Sequence, residues 1–444
     1  MKSDISAARE VALAVLLNIE KNKAYSGLSL AAEIPRHSLK EQDERLVRRL
    51  VYGVVSQRLR LDYVLNQFCR REVGTLSPSL RNILRLGCYQ LLDMDRIPQF
   101  AAVSEAVAQA RRVAGQRMAG FVNGVLRNII RNRDHLFQDL KPGTVEAVSI
   151  AQSHPRWLVE EWTGQWGLDF TAALCAANNE LKPLAIRVNT CKIGVDEYLA
   201  AAAAQGLTGA RSRFAPQGVV FPADTPFARL PGYAEGWFIV QGEASMLPAL
   251  CLGVEPGQAV LDMCSAPGGK ATQLAAMNPR GYVTACDISA ARLNLVRQNA
   301  ARLGLNNLEY VEADAARLDR VLARRFSRIL VDAPCSGLGV IAQKPEIKWL
   351  RKPADIGRLA ELQLQILHAG CNLLEPRGIL VYSTCTLLED ENQQVIRTLL
   401  AQRRDVVVVD PGMPELTNEE GFIQTFPHIH GLDGFFIAKL MKVE

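Results

Sequence analysis

From Pro256 to the C-terminus, short apolar runs alternate with segments of helical period, and this alternation restricts the possible folds more than any other feature. AVLDMC (259–264), YVTACD, LEYVEAD, RILVDAP and GILVYSTC read as strands, because short apolar runs bounded by turn residues fit a buried strand. KATQLAAM, ARLNLVRQNAARLG, ARLDRVLARR and IGRLAELQLQILHAGCNLL separate them as helices, and a further helix over EDENQQVIRTLLAQR precedes DVVVVDP and a terminal FFIAKL. Such βαβ repetition predicts an α/β fold with a doubly wound, mainly parallel sheet. Ligands of such sheets sit beyond the carboxyl ends of the strands, so residues just after each strand are the first candidates for chemistry.

The upstream sequence is organised differently. From Ser3 to about Leu140, segments such as EQDERLVRRLVYGVVSQ and FVNGVLRNIIRN place apolar residues at i, i+3, i+4 and i+7, predicting a bundle of six or seven helices. Residues 141–235 mix a short helix (HPRWLVEEWTGQWG), strand candidates (LAIRVNT, QGVVFP, GWFIVQ) and the alanine-rich VDEYLAAAAAQG, which predicts a small α+β module. The expected domains are therefore 1–140 all-helical, 141–235 α+β, and 236–444 α/β.

Residues 1–140 carry 22 Lys and Arg against 14 Asp and Glu, whereas the whole chain is only +5, so the basic footprint expected of a phosphate-binding protein lies in the helical region. The ten cysteines contain no CxxC pair and lie mostly in apolar runs, which argues against a zinc cluster or a secreted disulfide framework. No metal is expected. With no basic n-region at the start and no apolar run of the ~18 residues that span a bilayer, the expectation is a cytoplasmic protein, free of the membrane and monomeric.

The first α/β strand ends in Asp262-Met-Cys264-Ser265-Ala266-Pro267-Gly268-Gly269-Lys270, after which a helix begins. Glycines there let the backbone approach a ligand, and helix N-terminal amides offer donors, so a nucleotide-type ligand is implied. The spacing is neither a P-loop nor G-x-G-x-x-G. The next three strands each end in an acid, Asp287, Asp314 and Asp332. Any one could be a helix cap, but an acid after the second strand suits ribose hydroxyls, and one after the third can accept from an exocyclic amine. Asp332-Ala-Pro-Cys335 closes the fourth strand and Tyr382-Ser-Thr-Cys385 the fifth.

Together these motifs resemble the class I S-adenosylmethionine methyltransferases, and Cys264–Lys270 resembles the cofactor motif of the RNA cytosine-5 methyltransferases in particular. The resemblance implies that Cys264, Ser265, Ala266, Pro267, Gly268, Gly269 and Lys270 hold the methionine moiety of S-adenosylmethionine. It assigns Asp287 to the ribose and Asp314 to the adenine, and sets Asp332 where methyl donor and base meet. Methyltransferase strand order would make the fourth and fifth strands neighbours, with both thiols facing one pocket. Pro-Cys alone suggests the DNA enzymes, in which that cysteine attacks. With Thr384-Cys385 also present the pattern is similar to the RNA enzymes, which implies Cys385 as nucleophile, Cys335 as the helper in product release, and Asp332 as the group acting on ring nitrogen N3.

Downstream, GVIAQKPEIKWLRK gathers Lys344, Lys348, Arg351 and Lys352 around Trp349, either a solvated basic loop or a contact for RNA phosphates and bases. Arg187-Val-Asn189-Thr and Gln241-Gly-Glu243 also resemble family motifs, with Gly242 departing from the acid often found there. GCYQLLDMDRIP, SEAV and FVNGVLRN in the helical region resemble the NusB-like domain of the bacterial Sun/Fmu subfamily. That subfamily methylates a cytosine of 16S ribosomal RNA, so this RNA or a small-subunit assembly intermediate is the implied partner. Methylation of tRNA by the same chemistry, and a non-catalytic RNA-binding or antitermination-type protein, are the competing readings.

Overall fold

The computed structural model describes residues 6–443, which divide into two compact units. Among the described residues, those up to 180 together with 341–350 form the first, and 181–340 with those from 351 onward the second.

In the first unit, six α-helices lie between Ala7 and Arg131 among the described residues. Helix Glu41–Ser56 shows why they form. Val47, Leu50, Val51 and Val54 fall on one buried stripe, and Glu41, Asp43 and Glu44 in the first turn complement the positive end of the helix dipole. Helix Pro78–Asp93 starts with Pro78 at a position needing no amide donor, while the Ser77 hydroxyl caps the Leu80 amide.

The boundaries of this unit differ from those expected from composition. Helices Val145–Ala151, Arg156–Trp166 and Leu168–Ala177 belong to it, tied in by Ser56 Oγ to Asn179 Oδ1 (2.8 Å) and by the Leu59 amide to Ser153 Oγ (3.0 Å). The segment Ile341–Leu350 is also part of it. Amphipathicity announces a helix, but which neighbour covers its apolar face is a long-range matter.

The second unit begins with a small antiparallel sheet made of β1 (Leu184–Val188), β2 (Ala210–Arg211), β3 (Gly218–Phe221) and β4 (Phe238–Val240), in the order β2-β3-β1-β4. Its large sheet contains β5 (Ala259–Asp262), β6 (Tyr282–Asp287), β7 (Leu308–Glu312), β8 (Phe326–Asp332) and β9 (Leu374–Thr384). Three further strands complete it, β10 (Val406–Val408), β11 (Ile423–Thr425) and β12 (Phe435–Lys442). The order is β10-β12-β9-β8-β5-β6-β7, with β11 on β12. β5 to β9 pair in parallel, whereas β12 runs antiparallel to β9.

The expected alternation is thus present, with two local differences. ARLDRVLARR forms only the 3-10 segment Ala315–Arg320. The helix expected over EDENQQVIRTLLAQR begins at Gln393 rather than within EDEN, because Glu391 and Asn392 turn inward and are buried.

Candidate active site

All the strand-end candidates lie in the second unit, at the carboxyl edge of the parallel strands. The registers Asp262↔Leu330 and Asp332↔Ser383 bring the ends of β5, β8 and β9 side by side. Residues 51 and more positions apart in sequence therefore meet there.

After β5 the chain turns through the glycine loop into helix Gly269–Met277. Gly268 adopts φ 106°, and a Cβ there would come within 3.1 Å of the Val296 backbone, so both conformation and space favour glycine. Lys270 does not extend into solvent. Its Nζ donates to Asp332 Oδ2 (2.8 Å) and Ser245 Oγ (3.0 Å) and lies 5.2 Å from the Phe435 ring centre. Asp332 Oδ1 accepts from the Ser383 hydroxyl at 2.8 Å, so the carboxylate is held from both sides.

Asp262, fully buried beneath the loop, accepts the Cys264 amide through Oδ1, while its Oδ2 has no hydrogen-bond partner. Burial pushes its carboxyl up to about 7, Asp332 adding to the rise and Lys270 opposing it. A buried acceptor without a donor is costly, and a cationic ligand group would satisfy it. Asp287 uses Oδ1 to accept the Ser289 amide (3.1 Å) and has Arg292 Nη1 3.4 Å from Oδ2. Asp314 Oδ1 accepts the Ala316 amide (3.0 Å). Each acid thus serves its own turn through one oxygen. The Cys264 thiol is pushed well above its ordinary value by burial and by the surrounding acids, so it stays protonated.

The two cysteines meet. Cys335 Sγ lies 3.4 Å from Cys385 Sγ and also accepts the Cys385 amide at 3.4 Å. The hydrogen bond with Cys385 raises the Cys335 thiol well above its ordinary value, and burial reinforces the rise.

The four basic candidates divide between the two units. Lys344 and Lys348 belong to the first unit, Arg351 and Lys352 to the second. Lys344 and Lys352 are exposed. Arg351 braces the cysteine loop, its Nε donating to Ser336 O (2.7 Å) and its Nη2 to Cys335 O (3.3 Å).

Lys348 is a correction to the phosphate-contact expectation, since it is 0% exposed and its ammonium meets Asn179 Oδ1 at 3.3 Å. Trp349 is likewise no free stacking platform, because its Nε1 donates to Val55 O (2.7 Å) and Arg58 lies over its ring. Burial draws the Lys348 amine down to about 7, among His154 and Cys175, whose own values burial also shifts toward the neutral forms. Between about 7 and 10.5 the unfolded chain binds this proton and the folded one does not, so stability rises with pH across that window.

The expected result of Lys348→Met is therefore unchanged RNA affinity and a gain of roughly 2 kcal/mol at pH 6 to 7, about 5 °C in midpoint, shrinking toward pH 10.5. Thermal melts across pH together with RNA titration check it, and an RNA affinity loss near tenfold would restore the phosphate contact.

Arg187, singled out in the sequence only as part of a family-like motif, is buried on β1 and donates to Gln241 Oε1 (2.8 Å), Thr272 Oγ1 (2.8 Å) and Gly269 O (3.2 Å), so the small sheet grips the start of the loop helix. Three further residues had no such mark. Glu391, Asn392 and Gln363 surround the cysteine loops. The only signal for them was an acid-amide pair shortly after Cys385, and its helical context concealed it.

A doubly wound parallel sheet ending in an antiparallel strand, with a glycine loop after β5 and acids after β6, β7 and β8, defines a class I methyltransferase. Comparison with known families narrows the class. Residues 249–441 match 16S rRNA methyltransferase RsmB/F, residues 6–131 the NusB family, and residues 154–228 the RsmF/B-like ferredoxin-like domain. A protein of Bacillus subtilis described as a probable ribosomal RNA small subunit methyltransferase B is 36% identical, over 98% of this chain and 99% of its own. The ribosomal RNA small subunit methyltransferase B of Cronobacter sakazakii is 33% identical over the full length of both chains. Among solved structures, that of PH0851 superposes with TM-score 0.84 at 25% identity, covering all of both chains. A methyltransferase homologue of Pyrococcus horikoshii gives TM-score 0.60 at 30% identity, over 68% of this chain and 100% of that one. The chain belongs to the family of ribosomal RNA small subunit methyltransferase B.

Proposed function

We propose that this protein transfers a methyl group from S-adenosylmethionine to carbon 5 of a cytosine in 16S ribosomal RNA, with Cys385 bonding covalently to carbon 6 of the base. The 3.4 Å approach of Cys335 and Cys385 beside Asp332 carries this reading. An amino-group transfer would have no use for two thiols at the reacting edge.

The loop Cys264–Lys270 with Asp287 and Asp314 would hold the cofactor, and the unpaired Asp262 Oδ2 suits its ammonium group. When bound, S-adenosylmethionine supplies an electrophilic methyl group. The protein's part is to make carbon 5 nucleophilic. The Cys385 thiolate adds to carbon 6, the ring becomes enamine-like, and Asp332 holds a proton at N3 to drain charge from the ring. Later the carbon-5 proton leaves to a base and the bond from carbon 6 to sulfur breaks, which is where Cys335 acts. Lys344 and Lys352, both exposed, remain the phosphate contacts of this reading, with RNA entering from the cytoplasm.

Bisulfite sequencing of 16S ribosomal RNA from cells with and without the protein tests the assignment. One cytosine should lose protection in its absence. Loss of protection in tRNA instead would move the substrate, and no loss in either RNA would overturn the chemistry.

A further inference from the structure

The cysteines of the proposed reaction sit on two loops that are not joined by strand pairing beyond Asp332 and Ser383, yet their sulfurs lie in contact. Beside a direct bond from Ser336 to Thr386, side chains from a third place also hold these loops, the 3-10 turn Glu389–Glu391 and the residue after it.

Glu391 is 0% exposed. Its Oε2 accepts the backbone amide of Ser336, next to Cys335, at 2.8 Å and Gln363 Nε2 at 2.9 Å. The same Gln363 nitrogen donates to Pro334 O at 3.0 Å, so both neighbours of Cys335 are tied to this carboxyl group. The Ser336 hydroxyl then bonds to Thr386 Oγ1 (2.7 Å), next to Cys385. Asn392 holds the other loop, its Nδ2 donating to Thr386 O (3.0 Å) while its Oδ1 accepts the Thr384 hydroxyl. Tyr382 on β9 donates its hydroxyl to Glu391 O at 2.6 Å, fixing the turn itself. Four residues flanking the two thiols, Pro334, Ser336, Thr384 and Thr386, are thereby bound directly or through one side chain to the Glu391-Asn392 pair.

A buried carboxyl group is an expensive way to link two loops, since burial raises its pKa and its charge must be met by donors. An apolar core residue could fill the same volume, but only an acceptor can orient the Ser336 amide. The helix that the pattern predicted over EDEN fails for this reason, because Asn392 at φ −119°, ψ −100° breaks it and aims both side chains inward.

We propose that Glu391, supported by Asn392 and Gln363, is the positioning residue that sets the distance between the Cys335 and Cys385 sulfurs. The inference rests on the two-cysteine reading given above. Glu391 touches no reacting atom in this role. It acts through the loops.

The test is single-turnover methyl transfer from labelled S-adenosylmethionine to 16S ribosomal RNA by the full chain, with cofactor affinity and the unfolding midpoint measured in parallel. A displacement of about 1 Å in a reacting group costs near 100-fold, so Glu391→Ala should lose about 100-fold in kcat with KM for RNA and cofactor affinity unchanged. Glu391→Gln should recover to within about fivefold, because the amide oxygen can accept the same Ser336 and Gln363 donors. Wild-type kcat in Glu391→Ala, an equal loss in both variants, or a loss that tracks cofactor affinity would each overturn the proposal. Where Glu391→Ala does not fold, Gln363→Met takes its place. It removes the donor shared by Pro334 and Glu391 and should lower kcat about tenfold at constant KM, and wild-type kcat there is equally fatal. Failure of the underlying reading looks different: Cys335→Ala would then form no denaturant-resistant adduct, whatever the Glu391 variants do.

Discussion

Cys385→Ala abolishes methyl transfer, and Cys335→Ala leaves the protein bound to its RNA as a denaturant-resistant adduct; this pair of results is expected from the environment of the two thiols. Attack requires a thiolate. Cys335 resists ionisation, since its hydrogen bond with Cys385 and its burial both raise its pKa well above the ordinary range. Cys335 Sγ lies 3.4 Å from Cys385 Sγ, which in the proposed reaction puts it beside the bond from carbon 6 to sulfur that must break. Denaturing gels with labelled RNA read the outcome. An adduct with Cys385→Ala and none with Cys335→Ala would exchange the roles. No adduct with either variant, alongside wild-type turnover, would remove covalent catalysis.

The second large effect is expected at Asp332. Asp332→Asn keeps an acceptor for the Ser383 hydroxyl but cannot hold a proton at N3, and it removes the ion partner 2.8 Å from Lys270. General acid-base contributions fall between about 10²- and 10⁴-fold, so a loss of about 10³-fold in single-turnover rate is expected with RNA affinity unchanged. The adduct itself should form slowly, because in the proposed reaction addition to carbon 6 is the step assigned to Asp332. If Asp332→Asn formed the adduct at the wild-type rate and stalled afterwards, the residue would act on release instead. Chemical quench at short times, with gel analysis of the same samples, separates the two.

Much of this site could be read from the chain before any coordinates. The alternation after Pro256 required a doubly wound sheet, because short apolar runs alternating with period-3.6 segments of those lengths pack in few other ways. The sheet places residues after its strands at one edge, which brought Asp262, Asp332, Cys335 and Cys385 together in expectation and does so in fact. The glycine loop was legible for a similar reason, as Gly268 needs a backbone conformation that other residues resist.

Burial was not legible. Lys348 and Trp349 look like an RNA-binding loop because residue type is local information, whereas the packing of Ile341–Leu350 within the helical unit depends on Val55, Arg58 and Asn179, far away in sequence. Arg351 looked like a phosphate ligand and instead supports the carbonyls of the Cys335 loop. Glu391 and Asn392 read as the start of a helix, and only the folded chain turns them inward against the two cysteine loops. Period and backbone preference are properties of neighbouring residues, so they dictated the sheet, its glycine loop and the edge where chemistry can occur. Which polar side chains lose water, and which groups they then bind, depends on contacts between distant segments, and these came into being only when the chain was packed.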